Sequence, residues 1–207
     1  MCRVADGYVC DPCRGALPRI PPPLCDRCGA PTAWPVARCA ECAGRRLAFA
    51  SARAALRYED GVRAVVAAWK ERGLRRVAAL AAELVVESVP RPEAAALTFV
   101  PPDRDRNLRR GYHPAERLAH ELGERWELPV ESLVTRAGSS RRQRGLSRDD
   151  RRRNVRGAFA PARPAPTRVA LVDDVYTSGA TANAAASALR KGGARHVDVV
   201  TFARAVR

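Results

Sequence analysis

Val169-Ala170-Leu171-Val172-Asp173-Asp174-Val175-Tyr176-Thr177-Ser178-Gly179-Ala180-Thr181 reads as a strand, a loop and the entry to a helix. The apolar run Val169 to Val172 predicts a buried strand, and two adjacent carboxylates, Asp173 and Asp174, stand at its carboxyl end. A turn rich in small hydroxyl residues then leads into Ala182 to Lys191, an alanine-rich helix stopped by Gly192 and Gly193.

Such a turn suits a phosphate, which is held by backbone N–H groups, hydroxyls and the positive end of a helix dipole. Gly179 lets the backbone approach closely, Thr177, Ser178 and Thr181 bring hydroxyls, and Thr181 is also the expected helix cap. Carboxylates repel a phosphate, so Asp173 and Asp174 are expected to face vicinal ribose hydroxyls or a divalent cation. An ordinary βα turn explains Thr181 and one aspartate as caps but leaves the acidic pair and the hydroxyl run without a task.

The stretch resembles the PRPP-binding signature of type I phosphoribosyltransferases, PRPP being 5-phosphoribosyl-1-pyrophosphate: an apolar run, two acidic residues and a Thr/Ser-Gly-x-Thr loop. That resemblance implies ribose hydroxyls on Asp173 and Asp174 and the 5′-phosphate on Thr177, Ser178, Gly179, Ala180 and Thr181, with Mg²⁺ accompanying PRPP.

At 207 residues and 46% apolar content, the chain suits one domain of ordinary size with a small extra module. No segment approaches the roughly 18 to 20 unbroken apolar residues that span a bilayer. Met1 to Cys10 lacks the apolar core of a signal peptide, so a cytoplasmic protein without membrane insertion is expected. The formal charge of +15, from 37 basic and 22 acidic residues, favours an anionic partner, although the arginine usage of a GC-rich genome gives the same composition.

All seven cysteines lie in the first 42 residues, six of them as Cys10-x-x-Cys13, Cys25-x-x-Cys28 and Cys39-x-x-Cys42. Each pair is a knuckle, and two knuckles complete a closed tetrahedral zinc site. Repeated pairs in a Pro/Gly-rich, core-poor segment argue for structural zinc over disulfides or a redox dithiol. Two arrangements compete. Either Cys25, Cys28, Cys39 and Cys42 bind one ion and Cys2, Cys10 and Cys13 remain from a second site, or Cys10, Cys13, Cys25 and Cys28 form the site.

Cysteine knuckles ahead of this motif resemble the ComF family of competence-associated phosphoribosyltransferase-like proteins. The resemblance runs over nearly the whole chain: Ala54-Ala55-Leu56-Arg57-Tyr58, Trp69-Lys70-Glu71-Arg72-Gly73, Val100-Pro101, Arg109-Arg110-Gly111-Tyr112-His113-Pro114-Ala115, Gln143-Arg144-Gly145-Leu146-Ser147 and Arg151 to Phe159. Tyr112-His113 stands where the family often has Phe-Asn. The resemblance implies knuckles paired first with second and third with fourth, hence zinc on Cys25, Cys28, Cys39 and Cys42, with Cys2 surviving from a first knuckle cut by a late start. It also implies PRPP, single-stranded DNA and a competence helicase as partners.

Between these motifs the chain alternates: a strand over Ala50 to Tyr58, helices over Val62 to Glu71 and Leu74 to Val89, a strand over Ala96 to Val100, a helix over Pro114 to Glu124 and a strand over Val197 to Ala203. The expected fold is α/β, a Rossmann-like and mostly parallel sheet of the type I phosphoribosyltransferase kind, with ligands at the carboxyl ends of the strands. Residues 1–46 form the zinc ribbon and 47–207 the transferase-like domain, of which 47–90 is the cover and 91–207 the core. Too little chain follows Thr181 for a C-terminal hood, so the cover is expected from Arg53 to Leu84 and the ribbon; Lys70 could reach the site from there, though a helix-surface lysine is the plainer reading.

In related transferases the loop after Val100 holds pyrophosphate, which makes Pro101, Arg104, Arg106, Arg109 and Arg110 candidates. Arg136 to Arg156 carries nine arginines against Asp149 and Asp150. It reads either as a lid over the site, with Gln143, Arg144 and Asn154 matching the resemblance, or as a nucleic-acid tether. Trp34, Tyr58 and Trp69 are the best placed in sequence to stack on bases. Two functional classes fit these features: DNA binding with PRPP as a regulatory ligand, or ribosyl transfer with departure of pyrophosphate.

Overall fold

The alternation of apolar runs and amphipathic segments closes into one parallel sheet. The computed structural model describes residues 9–71, 76–102, 112–137 and 157–206. Its elements are α1 (Asp11–Gly15), β1 (Ser51–Arg57), α2 (Asp60–Glu71), α3 (Val77–Ser88), β2 (Ala96–Phe99), α4 (Pro114–Trp126), β3 (Val134–Arg136), β4 (Phe159–Pro161), β5 (Arg168–Tyr176), α5 (Ala180–Lys191) and β6 (His196–Arg204). Strands β1, β6, β5 and β2 lie side by side in that order, all parallel, and β3 pairs antiparallel with β4.

The central strands are apolar without interruption because both faces of the sheet are covered. On β5 and β6, Ala170, Val172, Val200 and Phe202 pack with α2, α3 and α4. Their neighbours Val169, Leu171, Val197 and Val199 pack on the opposite face with α5 and the cysteine segment. This is the two-residue period of a strand read through a three-layer core.

Both sheet edges are closed by irregular chain, which removes their unpaired backbone groups from solvent. At β1, the Arg57 N–H donates to the Pro18 carbonyl at 2.9 Å and the Ala52 N–H to the Arg27 carbonyl at 3.1 Å. At β2, Leu97 exchanges hydrogen bonds with Pro129 and Glu131.

Within 47–90, residues 51–57 form the expected strand, at the edge of the sheet, and α2 and α3 flank it. Two expectations change. Strand β5 runs on to Tyr176, which places Asp173 and Asp174 inside its ladder, Asp173 opposite Thr201. Helix α5 starts at Ala180, two residues before the apolar pattern suggested, because the glycine ahead of it makes the turn.

Candidate ligand site and cysteine cluster

Gly179 sets the geometry of the turn. It occupies the N-cap of α5 with φ 72°, in the left-handed region, and a Cβ there would collide with the phenol of Tyr176. Thr181 therefore does not cap the helix as expected. It is the second residue of α5 and lines the pocket instead. Ser178 closes the turn, its hydroxyl accepting from the Ala180 N–H at 3.4 Å.

A pocket of about 480 Å³ opens at the carboxyl ends of β2 and β5. Asp173, Asp174, Thr177 and Thr181 line it, and Pro101 and Pro102 close it from the β2 side. Sequence reasoning placed the acidic pair, the hydroxyl turn and the proline loop at one site, and the fold brings them together. Ser178, Gly179 and Ala180 shape the turn without lining the pocket.

Four further residues enter the same pocket from distant parts of the chain: Lys70, Tyr58, His113 and Arg136. The Lys70 ammonium lies 2.7 Å from Asp174 Oδ1, so the plainer reading of Lys70 as a surface lysine is corrected. Trp69 explains its placement. That indole is fully buried and sits edge-on to Phe202, with ring centres 6.1 Å apart, which pins the end of α2 to the sheet and turns the next side chain inward. Trp69 is accordingly unable to stack on a base, whereas Trp34 is 68% exposed and Tyr58 lines the pocket. Arg136 is held across the pocket by the carbonyls of Pro101 and Pro102, at 3.3 and 3.0 Å from its Nε. His113 caps α4, its Nδ1 accepting from the Glu116 N–H at 3.3 Å.

The two aspartates differ in environment. Burial, with the neighbouring Asp174 charge adding to it, raises the Asp173 carboxyl to about 7, against the opposing pull of the Asp174 N–H, Lys70 and Arg136. The Asp174 N–H donates to Asp173 Oδ1 at 2.9 Å. An acceptor poised near neutral pH beside a carboxylate paired with an ammonium suits hydroxyl groups carried on an anion. The remaining candidates Arg104, Arg106, Arg109, Arg110, Gln143, Arg144 and Asn154 lie outside the described residues, as does Cys2.

On the opposite face, the sulfurs of Cys25, Cys28, Cys39 and Cys42 all lie within 4.8 Å of one another. Cys25 Sγ is 3.7 Å from Cys42 Sγ, and Cys28 Sγ is 3.4 Å from Cys39 Sγ. A tetrahedron of Zn–S bonds of about 2.3 Å has edges of about 3.8 Å, so these two distances are close to zinc-site edges and the four thiols can close on one ion with small side-chain shifts. Burial raises the Cys28 and Cys42 thiols, whereas at Cys25 the backbone N–H groups of Cys28, Cys39 and Arg27 outweigh burial and bring the thiol down to about 7. The Cys39 N–H contact is 3.3 Å. Gly29 ends the first knuckle with φ 69°, where a Cβ would strike the Ala52 carbonyl of β1. Of the two competing cysteine arrangements, this is the first; Cys10 is exposed and Cys13 half-buried on α1.

The cluster is wired to the turn through residues that the sequence did not single out. Arg204, 1% exposed, donates to the Cys28 carbonyl, pairs with Glu41 at 2.7 Å and lies 4.8 Å over the ring of Tyr176, the residue that packs against Gly179. Arg45, next to the second knuckle, donates to the Ser178 carbonyl at 2.8 Å.

A parallel α/β sheet with an acidic pair and a glycine-hydroxyl turn at its carboxyl edge, carrying a four-cysteine module, defines the class as a phosphoribosyltransferase-like fold with a zinc-ribbon type appendage. No protein-family model matches the chain. It is 29% identical to Competence protein F of Haemophilus influenzae over 214 aligned positions, covering 98% of this chain and 93% of that protein. It is 28% identical to DNA utilization protein YhgH of Salmonella typhimurium, covering 95% and 90%. The resemblance to the ComF family thus holds along nearly the whole chain. Among solved structures, glutamine PRPP amidotransferase from B. subtilis, complexed with ADP and GMP, aligns with TM-score 0.42 and 25% identity over 60% of this chain; the chain spans 25% of that protein.

Proposed function

We propose that this protein binds PRPP in the pocket at the ends of β2 and β5 and handles single-stranded DNA under the control of that ligand. The convergence of Asp173, Asp174, Thr177 and Thr181 with Lys70 and Arg136 carries the reading, because it joins acceptors for ribose hydroxyls to donors and cations for phosphates. Competence protein F and the DNA utilization proteins are its similar proteins, which supports the DNA half. Mg²⁺ would neutralise pyrophosphate. Magnesium is usually bound by one or two carboxylates plus ligand phosphates, which suits Asp173 and Asp174; with Lys70 already against Asp174, the ion is expected to arrive with PRPP.

Calorimetric titration with PRPP and Mg²⁺ tests the pocket. Asp174→Asn keeps shape and loses charge-assisted hydrogen bonds of about 1.5 to 3 kcal/mol, so it weakens PRPP at least about tenfold, and Asp173→Asn does the same above about pH 7, where that carboxyl is ionised. Unchanged affinity in both variants rejects the site. Arg136, fixed beside Pro101 and Pro102, favours one second reading, ribosyl transfer with a cation for the departing pyrophosphate. Release of pyrophosphate from PRPP across a panel of acceptors decides it.

A further inference from the structure

A second groove, of about 450 Å³, runs between the cysteine module and α5 and shares no lining residue with the ligand pocket. Arg46 at the end of the module and Ala48 just after it line one side, and Asn183, Ser187, Arg190 and Lys191 line the other from the helix, spaced so that all four fall on one helical face. Its walls are locked together. Asn183 Oδ1 accepts from the Ala48 N–H at 2.6 Å, its Nδ2 donates to the Arg46 carbonyl at 3.4 Å, and Arg190 is held by the Arg195 carbonyl at 2.8 Å.

Among the described residues no carboxylate lines this groove. Among them, too, no ion pair involves Arg46 or Lys191, although Arg14, Arg19, Arg168 and Arg204 are all paired with glutamates. Arg190 and Lys191 in the last turn complement the dipole of α5, but Arg46 comes from another element and gains nothing from it. Three exposed cations around one groove without a lining carboxylate give it a positive potential that attracts an anion.

We infer that this groove holds the phosphates of single-stranded DNA. The assignment rests on the DNA-handling reading above and locates it. Ser187 and Asn183 add neutral donors, and among the described residues no aromatic side chain lines the groove, so the contact is with the backbone and independent of base sequence. Helix α5 leads from the phosphate turn to Lys191, about 18 Å at 1.5 Å per residue, and Arg45 of the module touches that turn at Ser178. The two sites therefore share one helix and one module.

Fluorescence anisotropy with labelled dT20, read over a salt series, tests the groove. Arg46→Gln/Lys191→Gln is expected to flatten the log–log salt slope by about 1.4, two phosphates at about 0.7 each. Arg117→Ala/Arg125→Ala, with the same loss of charge on α4 across the sheet, is expected to leave the slope unchanged. Zinc content and the thermal melt report that both variants are folded, with Arg46→Lys/Lys191→Arg as the charge-preserving control that restores the slope. Equal slopes in the groove and α4 variants overturn the groove while DNA binding stands. A wild-type protein that does not bind dT20 overturns the DNA reading and the groove together.

Discussion

Lys70 Nζ stands 2.7 Å from Asp174 Oδ1, joining a helix near the start of the sheet domain to the acidic pair at its far end. The pair is partly shielded, with side chains 29% and 14% exposed, so it is stronger than an ion pair on open surface. It fixes the ammonium at the rim of a pocket proposed to take a polyanion. Lys70→Met is expected to weaken PRPP about tenfold in calorimetric titration, and Lys70→Arg to recover most of that loss. Equal affinity in Lys70→Met and wild type would show that the pair is only structural.

The raised Asp173 carboxyl makes a prediction of defined sign. An unfolded aspartate titrates near about 3.9. In the fold Asp173 titrates at about 7, so it favours its neutral form, and the stability this contributes is complete below the unfolded value and lost as pH rises to about 7. Asp173→Asn, permanently neutral, is expected to melt above wild type at pH 8.5, with the gap shrinking toward pH 5.5. A gap that stays constant over this range would exclude titration of Asp173 as its source.

Metal analysis is expected to find close to one zinc per chain, held by Cys25, Cys28, Cys39 and Cys42. Chelation or Cys39→Ser is expected to lower stability by roughly 3 kcal/mol or more, about 6 to 12 °C in melting temperature. Arg204 and Arg45 tie the cluster to the turn, so the zinc-free protein also loses PRPP affinity. Arg204→Met separates the two effects, keeping zinc while weakening PRPP. A zinc-free protein with full affinity would uncouple cluster and turn.

Gly179→Ala places a Cβ at φ 72° against the Tyr176 phenol. The left-handed conformation alone costs about 1 to 2 kcal/mol. A fall of about 4 to 8 °C in melting temperature is expected when the collision is added, with weaker PRPP binding. A melt within about one degree of wild type would mean that the turn accommodates the methyl group.

Much of the site was legible because its chemistry is local. The acidic pair, the hydroxyl turn and the helix after it are consecutive, so a strand followed by a helix brings Asp173, Asp174, Thr177 and Thr181 to one edge whatever else the chain does. Cys25-x-x-Cys28 and Cys39-x-x-Cys42 are equally local, since each spacing turns two thiols toward one point. The cap was misread for a local reason too: both Gly179 and Thr181 suit the position, and the packing of Tyr176 beneath the turn selects the glycine.

The alternation of strands and helices, the acidic pair with its turn, and the cysteine knuckles are readable from the chain alone, because each depends only on neighbouring residues and their period. It takes the folded chain to bring Lys70, Tyr58 and Arg136 into the pocket, to bury Trp69 as an anchor and to link the cluster to the turn through Arg204. These depend on crossovers that bring residues more than a hundred positions apart into contact, as Lys70 meets Asp174 across 104 positions and Arg204 meets Cys28 across 176. A parallel sheet makes such meetings obligatory: each crossover returns the chain to the same edge, so side chains remote in sequence collect where the strands end.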